Sequence, residues 1–128
     1  GAYKDRMKFR LAETYLLLAE AYLRQDMPDK AADAVNEVRR RAKVSDVSDE
    51  EMTMDFLLDE RIRELYGEES RRFTLIRTGK LLERVRKYNP EARDLIQDFH
   101  VLWPIPQAIR DANVGNFPQN PGYEGYEG

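Results

Sequence analysis

Two apolar stripes at helical spacing, parted by only three residues, constrain this chain more than anything else in it. Leu11, Ala12, Tyr15, Leu16, Ala19, Tyr22 and Leu23 recur at intervals that place them on one helix face. They predict a first helix over residues 4–24. Gln25, Asp26 and Met27 form a break, and Pro28 suits the first turn of a second helix with Asp26 or Met27 just outside it. That helix carries Ala31, Val35, Val38 and Ala42 on one face and ends in the basic run 39–43, which suits the negative end of a helix dipole. Two helices joined by so short a turn must fold back as an antiparallel hairpin over residues 4–43.

The hairpin matches the tetratricopeptide pattern at Tyr15, Leu18, Ala19 and Tyr22 on its first helix and at Ala31 and Val35 on its second, with Asp26 where that pattern has glycine. One such repeat cannot bury its own apolar face, so it must dock on further helices or on a partner. Residues 44–47 read as a linker. Ser48 and Glu51 form a capping box, with Thr53 as the alternative cap. A third helix carries Met54, Leu57, Leu58, Ile62 and Leu65 and should be interrupted near Gly67. A fourth starts near Ser70 and runs through Phe73 and Ile76, then past Gly79 to Leu82 and Val85, until Asn89-Pro90 stops it. Residues 91–99 predict one or two more helical turns. The fold class is all-α, and residues 1–128 read as a single helical unit: hairpin at 4–43, further helices at 48–99, strap and tail at 100–128.

The strap differs from the rest. Four of the six prolines, Pro104, Pro106, Pro118 and Pro121, fall within it and enforce extended backbone at Trp103 and Ile105. It also carries Leu102, Ile109 in a short helical turn, and Phe117. An extended apolar segment is costly to leave in water, so the strap should lie over the helices with Trp103, Ile105 and Phe117 packed down as anchors. Tyr123 and Tyr126, in a glycine-rich terminus, could stack on a sugar or hang free.

Composition narrows the function classes. A net charge of −3 and a pI near 5.3 give no basic field for nucleic acid. The arginine clusters (39–41, 61 with 63, 71 with 72, 84 with 86) are interleaved with acids, as in salt-bridged helix faces. No cysteine is present for a disulfide or thiolate metal site, and no apolar run approaches the roughly 20 residues needed to span a bilayer. The chain opens GAYKDRMKF without an initiator Met, as a processed product or a tag remnant would, and is expected to be part of a longer protein.

Candidate chemistry is sparse. Glu60, Glu64 and Glu68 stand four apart, and a carboxylate pair facing a cleft could serve a glycosidic bond. With Arg61 and Arg63 between them, structural ion pairing is the simpler expectation. His100 is the lone histidine; no spacing supplies three companion ligands, so it should bond to backbone. Ser45, Ser48 and Ser70 have no His–Asp arrangement near them, and no glycine loop would cradle a phosphate. Catalytic and metal-ligating residues are therefore expected to be absent, with no cofactor implied.

Three stretches together resemble the C-terminal part of the SusD/RagB family: RLAETYLLLAEAYLRQDMPDKAADAVNEVRRRA at 10–42, DERIRELYGEESRRFTLIRTGK at 59–80, and Pro104-Ile105-Pro106 followed by Gln119-Asn120-Pro121-Gly122-Tyr123. The chain departs from the family pattern at Gly67, Glu69 and Thr74, where local packing and ion pairing should differ. The resemblance implies a fragment of an outer-membrane lipoprotein, surface-exposed and held to the membrane only through a lipid anchor absent from this chain. It also implies a non-catalytic role in capturing oligosaccharide, or peptide, for a TonB-dependent, SusC-like channel. The tetratricopeptide-like helices would act mainly as scaffold and channel-facing surface. No ligand-binding residue transfers to this sequence, since the family's ligand loops lie elsewhere. The alternative is a freestanding helical protein–protein interaction module.

Overall fold

The computed structural model describes residues 9–126, which contain six α-helices, one 3₁₀ turn and no strand. The chain's contacts gather into two compact units, Gly1–Glu69 and Ser70–Gly128.

In the first unit, α1 (Leu11–Leu23), α2 (Pro28–Arg41) and α3 (Met54–Glu64) pack together, α1 meeting both others. The predicted start of α1 at residue 4 lies outside the described residues. Arg10 has extended backbone (φ −140°, ψ 161°) and is the N-cap, so α1 begins at Leu11, the first residue of its apolar stripe. Ala12, Leu16 and Ala19 join Ala31, Val35, Val38 and Leu57 in an apolar cluster, with Tyr15 and Tyr22 packed at its margin. Leu11, at the end of the stripe, is exposed instead.

The turns obey backbone chemistry that the stripes do not reveal. Both hairpin helices end in six-to-one closures. Met27 N–H reaches Tyr22 O and Val44 N–H reaches Arg39 O, each at 3.0 Å. The residues that must turn left-handed are Asp26 (φ 57°) and Lys43 (φ 59°). Aspartate tolerates this region better than most residues, so the tight turn survives without glycine. The two candidate caps of α3 divide their roles. Thr53 Oγ1 accepts from Phe56 N–H (3.2 Å) and caps the helix, while Ser48 and Glu51 exchange hydrogen bonds across the preceding turn.

In the second unit, α5 (Leu81–Tyr88) packs on α4 (Arg71–Arg77) and on the 3₁₀ turn (Asp98–Val101); α6 (Gln107–Asp111) lies within the strap. The predicted continuous helix through Gly79 is two helices. Gly79 adopts φ 71°, and Lys80 N–H bonds to Leu75 O (2.8 Å), closing α4 as α2 is closed. The turns expected at 91–99 are an Asn89-capped turn, whose Oδ1 accepts from the amides of Glu91 and Ala92, and then the 3₁₀ turn.

The strap is extended through Trp103 and Ile105, but it does not pack its anchors down. Trp103 is 56% exposed and Phe117 40%, which corrects the expectation that they bury; Ile105 is half-buried. What holds the strap is hydrogen bonding to its own backbone. Gln119, itself buried, accepts from Ile105 N–H (2.7 Å) and donates to Ile105 O (2.9 Å). Asn120 donates to Trp103 O (2.7 Å) and Tyr123 to Leu102 O (2.8 Å). Gly122 (φ 86°) lies beneath the Phe99 ring, where a Cβ would come within 2.3 Å of the ring. The Gln-Asn-Pro-Gly-Tyr ending is thus a clasp for the Leu-Trp-Pro-Ile-Pro stretch.

Candidate functional site

The glutamates singled out on α3 sit in a seam of arginines. Glu60, on the buried side, accepts from Arg39 and Arg63 through one oxygen, both at 2.8 Å. Glu64 accepts from Arg10 and Arg41, both at 2.5 Å. Glu68 takes the Arg10 Nε at 2.6 Å. Its hydrogen bonds to Glu68 and then to Glu64 hold the Arg10 guanidinium above its ordinary pKa. Glu60 and Glu64, each tied to two arginines, make poor general acids or nucleophiles. A cleft of about 340 Å³ lined by Arg39, Phe56, Glu60 and Arg63 opens beside them, and the Arg39 and Arg63 guanidiniums lie 5.4 and 6.0 Å from the centre of the Phe56 ring.

Glu69, one of the departures from the family pattern, forms a buried pair with Arg61: Nε–Oε2 is 2.7 Å and Nη2–Oε2 2.6 Å, with Arg61 only 1% exposed. Glu13 stands 3.8 Å away as a second, weaker partner. Sequence spacing hid this pair, because the residues are eight apart across the α3 terminus, where Gly67 (φ 76°) turns the chain back. Two further arginines are paired with acids. Arg40 meets Asp46 and Glu37, and Arg86 meets Asp98.

The remaining candidates are structural. His100 Nδ1 accepts from Gln97 N–H (2.8 Å) at the 3₁₀ turn, and its carbonyl accepts from Arg72. Its ring stacks beside Phe99, which meets Tyr123 edge-on at 4.9 Å. Tyr123 therefore belongs to the clasp, and Tyr126 is exposed. Ser70 precedes α4, Ser48 belongs to its turn, and Ser45 O accepts from Arg39 (2.7 Å). Among the described residues no group of His, Cys, Asp or Glu is arranged to hold a metal ion, and no helix is long and apolar enough to cross a membrane. Arg72 lies 4.3 Å over the Trp103 ring and also lines an apolar cleft of about 330 Å³ with Val85, Leu95, Ile96 and His100. On the hairpin, Tyr15, Leu18 and Tyr22 face Lys30, Asp33 and Glu37 across a groove of about 250 Å³.

Among the described residues the protein is all-helical, with its C-terminal strap clasped by its own ending. The SusD family model matches residues 1–123, and the chain belongs to the SusD family. It is 36% identical over 113 residues to a SusD-like protein of Formosa agariphila, covering 80% of this chain and 21% of that protein. It is 35% identical over 125 residues to the starch-binding protein SusD of Bacteroides thetaiotaomicron, covering 91% of this chain and 21% of that one. A solved laminarin-binding SusD-like protein superposes with a TM-score of 0.67 at 30% identity, covering 90% of this chain and 22% of its own. The chain thus spans about a fifth of the length of these relatives. Proteins of this family are non-catalytic, carbohydrate-binding and associated with the outer membrane as lipoproteins.

Proposed function

We propose that this chain is the C-terminal helical part of a surface-exposed outer-membrane protein that captures oligosaccharide for a TonB-dependent, SusC-like channel. The match to the family over residues 1–123 carries the reading, and the starch- and laminarin-binding relatives favour a glucan-type ligand over a peptide. Within that protein the tetratricopeptide-like hairpin serves as scaffold and as the face towards the channel. The arginine–glutamate seam supports a scaffold role, because it ties Arg10, the N-cap of α1, to the end of α3. Calorimetry on the full-length protein with laminarin and starch oligosaccharides tests the ligand, and co-purification of the channel from outer membranes tests the partner. Saturable binding and a stoichiometric complex are expected. A full-length protein that binds neither glucan and purifies without a channel would sink the reading.

A freestanding interaction module is the second reading. It is favoured by the open groove between Tyr15, Leu18 and Tyr22 and the acidic side of α2, which could hold a partner helix. It requires that the 128-residue chain alone capture a specific protein partner through that groove, and loss of capture on Tyr22→Ala would support it.

A further inference from the structure

We infer that the groove between α1 and α2 is an auxiliary binding site for a neutral oligosaccharide chain, with Tyr15 and Tyr22 as its stacking rings. This rests on the reading of the full-length protein as one that captures oligosaccharide. It deepens that reading by placing a sugar contact on this chain, on helices otherwise treated as scaffold.

Helical spacing builds the groove. Tyr15 and Tyr22 are seven residues apart on α1, so both rings stand on one face, about 10 Å apart along the axis. Leu18 lies between them, 41% exposed. Across the groove α2 presents Lys30, Asp33 and Glu37, all exposed and again within two turns. Each ring is half-buried against the apolar cluster, so its position is set before any ligand arrives. Lys30 Nζ stands over the Tyr22 ring, 5.9 Å from its centre, so that ring turns a face to the groove. A narrower cleft of about 80 Å³, lined in part by Leu11 and Arg41, shares Tyr15 and Glu37 with it. Together they make an elongated track, the shape a chain ligand needs.

The polar groups along this track are uncommitted. Among the described residues the hydroxyls of Tyr15 and Tyr22, the Lys30 ammonium and the Asp33 carboxylate make no hydrogen bond, and Glu37 has a long one from Arg40 at 3.3 Å. Elsewhere such groups are occupied: Tyr123 holds Leu102 O, and the glutamates of α3 hold arginines. Flat rings faced by free donors and acceptors suit a pyranose, which has apolar faces and a girdle of hydroxyls. A partner helix would seek several apolar anchors, and Leu18 is the only exposed aliphatic side chain lining the groove. An anion would meet Asp33 and Glu37, and a cation would meet Lys30; a neutral polyhydroxyl chain avoids both conflicts. A ring spacing of about 10 Å exceeds one pyranose, so the ligand is a disaccharide or longer.

Hydroxyl-radical footprinting of the full-length protein, with and without laminarin or starch hexasaccharide, tests the groove. Tyr15, Leu18 and Tyr22 should be labelled in the free protein, and saturating sugar should cut their labelling severalfold. Asp33→Ala, at an exposed position outside the apolar cluster, should leave the melting temperature unchanged. It should raise the sugar concentration for half-protection of Tyr22 about tenfold, as for loss of one hydrogen bond to a charged group. Labelling that neither sugar changes overturns the inference, as does a half-protection point that Asp33→Ala does not move. Rings already protected in the free protein overturn it too, since the groove is then covered by protein. So does protection that grows with protein concentration in the absence of sugar, the mark of a second copy. Calorimetry on the same preparation separates the two readings. Heat of binding without protection of Tyr15 and Tyr22 sinks the groove and leaves capture standing; no heat and no protection with either sugar sinks both.

Discussion

Arg61 is the most consequential single side chain. A guanidinium this buried is tolerable only because Glu69 neutralises it through two contacts to one oxygen, with Glu13 a distant second. Its Nη1 has no hydrogen-bond partner among the described residues, so little reserve exists if Glu69 changes. Removing one partner of a buried pair leaves an uncompensated charge, at a cost of about 3 kcal/mol. Glu69→Gln should destabilise the chain by about that much in urea unfolding. The double variant Arg61→Met with Glu69→Gln should recover part of the loss, since no buried charge is then left stranded. Lys43 works in the opposite direction. It occupies a left-handed position closing α2, where a side chain is strained and glycine is free. Lys43→Gly should therefore stabilise by about 0.5–1 kcal/mol, measured in the same experiment.

At the scale of elements, what was legible in the sequence divides by the range of the interaction. The hairpin followed from period and a proline, because Pro28 and the stripes of α1 and α2 act over single turns. The Gly79 break was misread because apolar periodicity continues across it to Leu82 and Val85; the left-handed closure at Thr-Gly-Lys was the better signal. The direction of the strap's side chains was not legible at all. It depends on bonds between residues fourteen to twenty-one apart, Gln119 to Ile105 and Tyr123 to Leu102, and no periodicity encodes them. The glutamates read as ion pairs from their spacing with arginines, and they are so in the structure, but the Arg61–Glu69 pair needed the turn at Gly67. The clasp can be tested directly. Gln119→Leu keeps the volume but strips Ile105 of both its partners, and should cost about 2 kcal/mol. It should also raise amide exchange at Ile105 and Asn120, whose N–H groups both donate to the lost Oε1.

At the scale of the whole molecule, the two units are stabilised by different means. Residues up to 69 contain a dense apolar cluster built from three helices. Among the described residues from 70 onward, Leu75 and Leu81 are the only apolar side chains classed as buried. The second unit therefore depends on polar ties: Arg72 to His100 O, Arg86 to Asp98, and the clasp of residues 119–123. Such a unit should be unusually sensitive to losing its last segment. Ending the chain after Phe99 removes His100, Trp103 and the whole clasp, so Arg72 loses both its carbonyl and its aromatic platform. Hydrogen exchange on the truncated chain should show α4 and α5 losing most of their protection, while α1 to α3 keep theirs, because the cluster around Leu16, Val35 and Leu57 contains no strap residue. If α4 and α5 exchanged as slowly as in the 128-residue chain, the strap would be an appendage to the second unit rather than one of its supports.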